Sequence, residues 1–302
     1  MSGTVSMDRR QTQDIVARKL MALVTVSCSL LVLLIAAGLI FKAKPILALK
    51  PVSDLLFSSA WHPMKGQFGF LPFIMGTLWV TGVAVVVAVP ISLLTAIYLS
   101  EYAGRRMRRV MGPLIDLLAG IPSVIYGVWG VLLIVPLVKN HIAPFFGTFS
   151  SGYTVLTAGI VLAVMIFPVI ISVCVEVFAS IPVGLREASL SLGATRWQTV
   201  KHVVLRRALP GIIAANVLGL SRAFGETMAV LMVAGNVVAL PHSVLDPAYP
   251  LPALIANNYG EMMSVPLYDS ALLLAALILF GVVLVFSIIS RLVLIRVEKR
   301  IG

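Results

Sequence analysis

The 302-residue chain is poor in charge: only 12% of its residues are Asp, Glu, Lys or Arg, against 60% hydrophobic ones. That balance excludes an ordinary soluble domain and points to a helical protein that crosses a membrane several times. It has two cysteines, Cys28 and Cys174, both inside apolar stretches, which reads as packing and argues against a disulfide or a metal cage. Four histidines at 62, 141, 202 and 242 lack ligand spacing, so neither a metal nor another cofactor is expected. No Gly-Lys dipeptide occurs, so there is no phosphate-binding loop of the G-x-x-x-x-G-K-[ST] kind and the chain is not its own ATP-driven motor. Equally absent are H-E-x-x-H and G-x-S-x-G, which leaves an intramembrane enzyme without a recognisable centre.

Six segments are long and apolar enough to span, at about 20–41, 71–99, 111–138, 153–175, 211–234 and 267–290. None alternates as a strand would, so the expected fold is an all-α polytopic bundle of six transmembrane helices. Seventeen of the 23 basic residues fall before the first span, between spans two and three, between four and five, or after the sixth. The segment 235–266 has no Lys or Arg. The positive-inside rule then places both termini in the cytoplasm, and the net charge of +11 becomes a signal of topology, with no nucleic-acid partner implied. The first span is longer than a signal-peptide core and is expected to be retained.

Arg222 and Glu226 stand alone as ionisable residues in the fifth apolar stretch. A charge at mid-bilayer costs from about 3 to more than about 10 kcal/mol unless it finds a partner or water, so such residues mark pathways. Spaced i and i+4, the two would share one helix face, and a local ion pair is the plain alternative. In the third stretch Pro122 frees a carbonyl, while Gly120, Ser123 and Gly127 thin the surface. Tight packing explains that pattern, and so does a loosened helix whose Ser123 hydroxyl lines a pathway. Pro90 and Pro168 read as kinks.

Between spans four and five, residues 181–210 suggest two short helices, at about 185–192 and 195–208. The first is closed by a left-handed Gly193 and the second stops near Pro210. In the second, Trp197, Val200, Val204 and Ala208 form one stripe, as in a helix resting on headgroups. The run Glu187-Ala188-Ser189 with Gly193 resembles the EAA motif of binding-protein-dependent ABC importer permeases, in which this loop carries a coupling helix that docks on an ATPase. This sequence departs from the family pattern at Val203-Val204-Leu205-Arg206, where Arg206 stands at a usual proline.

Three further stretches narrow the resemblance to phosphate importers, and within them to permease subunits of PstC type: Gly69 to Leu78, Ala119 to Gly127 and Ser221 to Val230. The resemblance implies a type I ABC importer permease fold, with a leading part over 1–70, a permease domain over 71–291 containing the coupling loop, and a tail over 292–302. It further implies an inner-membrane transport subunit that moves inorganic phosphate by alternating access. Expected partners are a second permease of PstA type, two ATPase subunits, a periplasmic phosphate-binding protein and membrane lipid. The substrate pathway would include Arg222, Glu226 and Ser123, while Glu187, Ala188, Ser189 and Gly193 would couple to the ATPase. An arginine presents a planar fork of donors to an oxyanion, and a shared carboxylate would keep the anion from binding too tightly. Another oxyanion such as sulfate or molybdate, or an ATPase-independent channel or secondary transporter, remains the alternative. For docking of the binding protein, the segments 42–70, with Trp61, and 235–266, with a short helix expected at 251–262, are the candidate surfaces.

Overall fold

The computed structural model describes residues 4–261 and 265–301. Six of its helices are long and apolar enough to cross a membrane: span one Gln13–Leu49, span two Leu71–Tyr102, span three Ser123–Phe145, span four Val155–Ala179, span five Arg196–Gly225 and span six Tyr268–Val297. At 1.5 Å per residue each reaches about 30 Å or more, the thickness of a hydrocarbon core.

Span four is the axis of the bundle. Of its apolar window 61% is buried, whereas none of span one's is, so span one presents its sides outward for almost its whole length. Spans two and four approach closely because Gly159 has no side chain: a Cβ there would lie 2.4 Å from Val83. With little hydrophobic gain between helices in lipid, such close packing is a main source of association. The central core gathers Ala84, Leu162, Ile166, Cys174, Phe178 and Val204 among others. Cys174 is fully buried as a packing residue, while Cys28 lies on an exposed face.

A second core closes the end opposite the arginine-rich loops. There Trp61 stands at the centre of an aromatic cluster, with ring centroids 5.6 Å from Phe68, 5.5 Å from Phe70 and 4.9 Å from Phe73. Phe73 in turn meets Tyr249 at 5.3 Å. A two-stranded antiparallel hairpin, Trp61–His62 with Gln67–Phe68, aims the indole inward. Trp61, named in the candidate docking segment 42–70, is thus half-buried in this cluster. The helix expected at 251–262 runs over Leu251–Asn258, its first turn fixed by a Leu251 N–H that donates to Thr77 Oγ1 at 2.9 Å; residue 262 lies outside the described residues.

Two expected boundaries move. The third stretch does not begin as a span at 111. Residues Arg105–Gly120 form a separate amphipathic helix, and the chain is extended at Ile121 and Pro122 before span three starts at Ser123. Proline disfavours helical geometry in the residue before it, and here it ends the helix and does more than loosen it. The second short helix of the coupling loop does not stop near Pro210 either. It is the beginning of span five, continuous through a wide π turn at Val200–Val204 and through Pro210 to Gly225. One proline removes one helix hydrogen bond, and Gly211 beside it seats the span against Val177, where a Cβ would lie 2.4 Å away.

Candidate transport and coupling sites

The fifth apolar stretch breaks where its charges lie. Span five ends at Gly225, Glu226 takes an extended backbone (φ −72°, ψ 125°), and a separate short helix follows over Met228–Val233. Arg222 and Glu226 therefore do not share a helix face, and they form no ion pair among the described residues. The physical reason is local. A continuous helix would leave the carboxylate facing apolar neighbours, whereas a break after Gly225, a weak helix former, frees backbone N–H groups for it. Glu226 Oε1 accepts the Ala229 N–H at 3.2 Å, at the positive end of the new helix. Arg222 sits in the last turn of span five, at the negative end of that helix, and is exposed. Each charge is met by backbone dipoles instead of by the other.

The helix Ser123–Trp129 that opens span three packs on Met228–Val233, with a Cβ at Gly127 3.2 Å from the Ala229 Cα and one at Gly130 2.9 Å from Val233. This pairing runs in one direction along both helices, so the turn that carries Ser123 lies toward the start of Met228–Val233. The breaks at Pro122 and at Glu226 precede these two packed helices, and irregular backbone inside a membrane is tolerated where it is packed in protein or lines a cavity. A small cavity of about 10 Å³ adjoins Glu226, lined also by Thr77, Thr81, Leu162, Pro250 and Pro252. That space suits a single water, and a phosphate does not fit it. Thr77 and Thr81, one turn apart on span two and both buried, were not singled out from sequence. Their i, i+4 spacing opposite the charged stretch was the available signal.

At the arginine-rich end, the expected coupling helix forms over Val183–Ser191. Gly193 adopts φ +82°, the left-handed cap expected of it, with its N–H on the Leu190 carbonyl at 2.9 Å. Glu187 and Ala188 are exposed, as are Val183, Leu190 and Leu192, the last at 89%. Ser189 points the other way: its hydroxyl is 2.9 Å from that of Thr199, a buried residue in the first turn of span five. That first turn is closed by a capping box between Thr195 and Gln198. Of the expected apolar stripe Val200, Val204 and Ala208 are buried, but Trp197 is 53% exposed.

Two residues that the sequence reading passed over complete this end. The Arg186 guanidinium pairs with Glu101, at the end of span two, with Nη2 to Oε1 at 2.8 Å. It also donates to the carbonyls of Phe178 and Ile181, each at 2.7 Å. These partners are 85 positions apart in sequence, so no local pattern reveals the pair.

Known proteins bear on this arrangement in three ways. The family described as binding-protein-dependent transport system inner membrane component matches residues 88–300. The "Phosphate transport system permease protein PstC" of Xylella fastidiosa strain 9a5c is 39% identical over 299 residues, covering 94% of this chain and 91% of that protein. The protein of the same name from Pasteurella multocida is 41% identical over 263 residues, 82% of each. A probable PstC from Methanocaldococcus jannaschii is 36% identical, over 78% of this chain and 80% of that one. Among solved structures, a bacterial ABC transporter involved in alginate import aligns over 95% of this chain and 99% of its own, with a TM-score of 0.57 and 20% identity. The MetNI methionine ABC transporter in an inward-facing form aligns over 82% and 98%, with a TM-score of 0.55 and 22% identity. At those identities the structures establish the type I importer permease fold. The chain is a multi-pass membrane protein that belongs to the binding-protein-dependent transport system inner membrane component family and, within it, to the PstC-type permeases.

Proposed function

We propose that the chain is the permease subunit through which an ATP-driven importer passes inorganic phosphate, with Arg222, Glu226 and Ser123 on the substrate path. The observation that carries this reading is the paired helix break. It leaves Arg222 exposed, holds Glu226 on a backbone N–H, and precedes the packed pair of helices that begin at Ser123 and Met228. Phosphate carries one to two negative charges at neutral pH, and its passage needs a cation and hydrogen-bond donors that bind it briefly. Arg222 supplies the fork of donors, and Glu226, already satisfied by the backbone, limits how strongly the anion is held. The names of the relatives with high coverage support phosphate as the anion over sulfate or molybdate.

In this reading the arginine-rich end faces the cytoplasm and both termini lie there. Glu187, Ala188 and the exposed apolar residues around them form the docking face for one of two ATPase subunits. A second permease of PstA type completes the passage, and a periplasmic phosphate-binding protein delivers the anion to the opposite end. ATP is hydrolysed by the partners, and the permease alternates its access. The test is phosphate uptake by the assembled transporter carrying Arg222→Gln. Uptake is expected to fall about 100-fold, equivalent to roughly 2.7 kcal/mol of barrier, with membrane insertion unchanged. Undiminished uptake by a fully inserted variant would refute the assignment.

A further inference from the structure

The coupling helix has no buried residue among Val183–Ser191. Beside it lies an open cavity of about 680 Å³, bounded by the end of span two, the helix Arg105–Gly120 and span four. The helix's leucines are only partly covered, Leu185 being 42% and Leu190 45% exposed, so apolar packing gives it a loose seat. Its polar side-chain links to other elements run from Ser189 to Thr199 and from Arg186 to Glu101, Phe178 and Ile181.

Those links differ in kind. Ser189 is a single hydroxyl contact to span five. Arg186 holds three elements at once, because its Nε and Nη2 donate to both Glu101 oxygens at the end of span two (3.2, 3.2 and 2.8 Å). Its Nη2 and Nη1 also close the carbonyls of Phe178 and Ile181, at the end of span four. A guanidinium pinned in its plane from several directions resists both translation and rotation, which a flexible ammonium would not. The side chains of the pair are only 19% and 12% exposed, so solvent screens them weakly and loss of either partner strands the other charge. Glu101 is itself part of a wide π turn, Tyr98–Tyr102, and the preceding residue's carbonyl accepts a bond from Arg108 of the amphipathic helix.

We propose that Arg186 and Glu101 are a positioning pair, a strut that delivers displacement of the coupling helix to spans two and four while Ser189 and Thr199 carry it to span five. This rests on the importer reading above. Without the strut the partner ATPases hydrolyse ATP but the permease does not follow.

The experiment is the complete transporter, with its binding protein, in proteoliposomes, with phosphate uptake and ATP hydrolysis measured on the same preparation. For Glu101→Gln and Arg186→Gln, phosphate moved per ATP is expected to drop about tenfold, the scale of one hydrogen-bonded charge pair, while hydrolysis stays within about twofold. Arg186→Lys, which keeps the charge and loses the fork, is expected to fall between. Unchanged phosphate per ATP in the assembled Gln variants overturns the proposal, and so does a parallel fall of uptake and hydrolysis. If Arg186→Gln fails to assemble, Glu101→Gln decides, since it retains an acceptor oxygen. Failure of the unaltered transporter to take up phosphate with ATP would instead overturn the importer reading.

Discussion

The two ends of the bundle are fastened by opposite means. At one, Trp61, Phe68, Phe70, Phe73, Tyr249 and Tyr268 interlock as an aromatic cluster, all but Trp61 buried. At the other, one guanidinium and a pair of hydroxyls hold a helix in which no residue is fully buried. Apolar packing is dense and tolerates little displacement, whereas hydrogen bonds can be exchanged one for another with small net cost. The first end is built to stay, and the second can move as a unit without unpacking the core.

The largest effect should come from the fixed end. Trp61→Ala removes the hub of the aromatic cluster and is expected to cost about 3–5 kcal/mol, read as a lowered unfolding midpoint of the detergent-solubilised chain. Gly152→Ala should follow at about 3 kcal/mol, because backbone strain and a clash add there. Gly152 has φ +87°, and an added Cβ would sit 2.4 Å from the Val135 carbonyl oxygen. Its counterpart at the mobile end is the informative control. Gly193 has nearly the same φ, +82°, but nothing stands within 4 Å of an added Cβ. Gly193→Ala is thus expected to cost about 1–2 kcal/mol, the strain alone. If the two alanine variants destabilised equally, the contrast between packed and open ends would be wrong. The smallest effect belongs to Thr195→Ala, which removes one half of a capping box for about 1 kcal/mol, measurable as a small shift of the same midpoint.

Much of this plan is legible in the sequence, and the exceptions have physical causes. Six apolar stretches announce six spans because backbone groups in lipid must be paired within helices. Gly193 announces its left-handed cap because few other residues adopt that geometry without strain. The break at Gly225 is hidden, since glycine is common inside transmembrane helices and a Glu three residues before Ala229 looks like any other helical charge. Only when the carboxylate is seen on the Ala229 N–H does the extended Glu226 make sense. The false start of span three at 111 has a similar origin, because the amphipathic helix 105–120 ends in apolar residues that merge with the span beyond Pro122. The Arg186 to Glu101 pair joins the helix Val183–Ser191 to the end of span two, 85 positions away, and is invisible to any local rule.

Span five runs unbroken from Arg196 to Gly225, 30 residues, hence about 45 Å along its axis. Gly225 lies at a break inside the membrane, with Met228–Val233 beyond it, so this helix crosses only part of the hydrocarbon layer of about 30 Å. At least roughly three of its turns stand clear of the lipid tails beside the helix Val183–Ser191. Gearing follows from that length: a tilt of about 10° pivoting at Gly225 sweeps the Arg196 end through about 8 Å. Read in reverse, a large stroke at the Arg196 end is reduced to a fine adjustment beside Arg222 and Glu226.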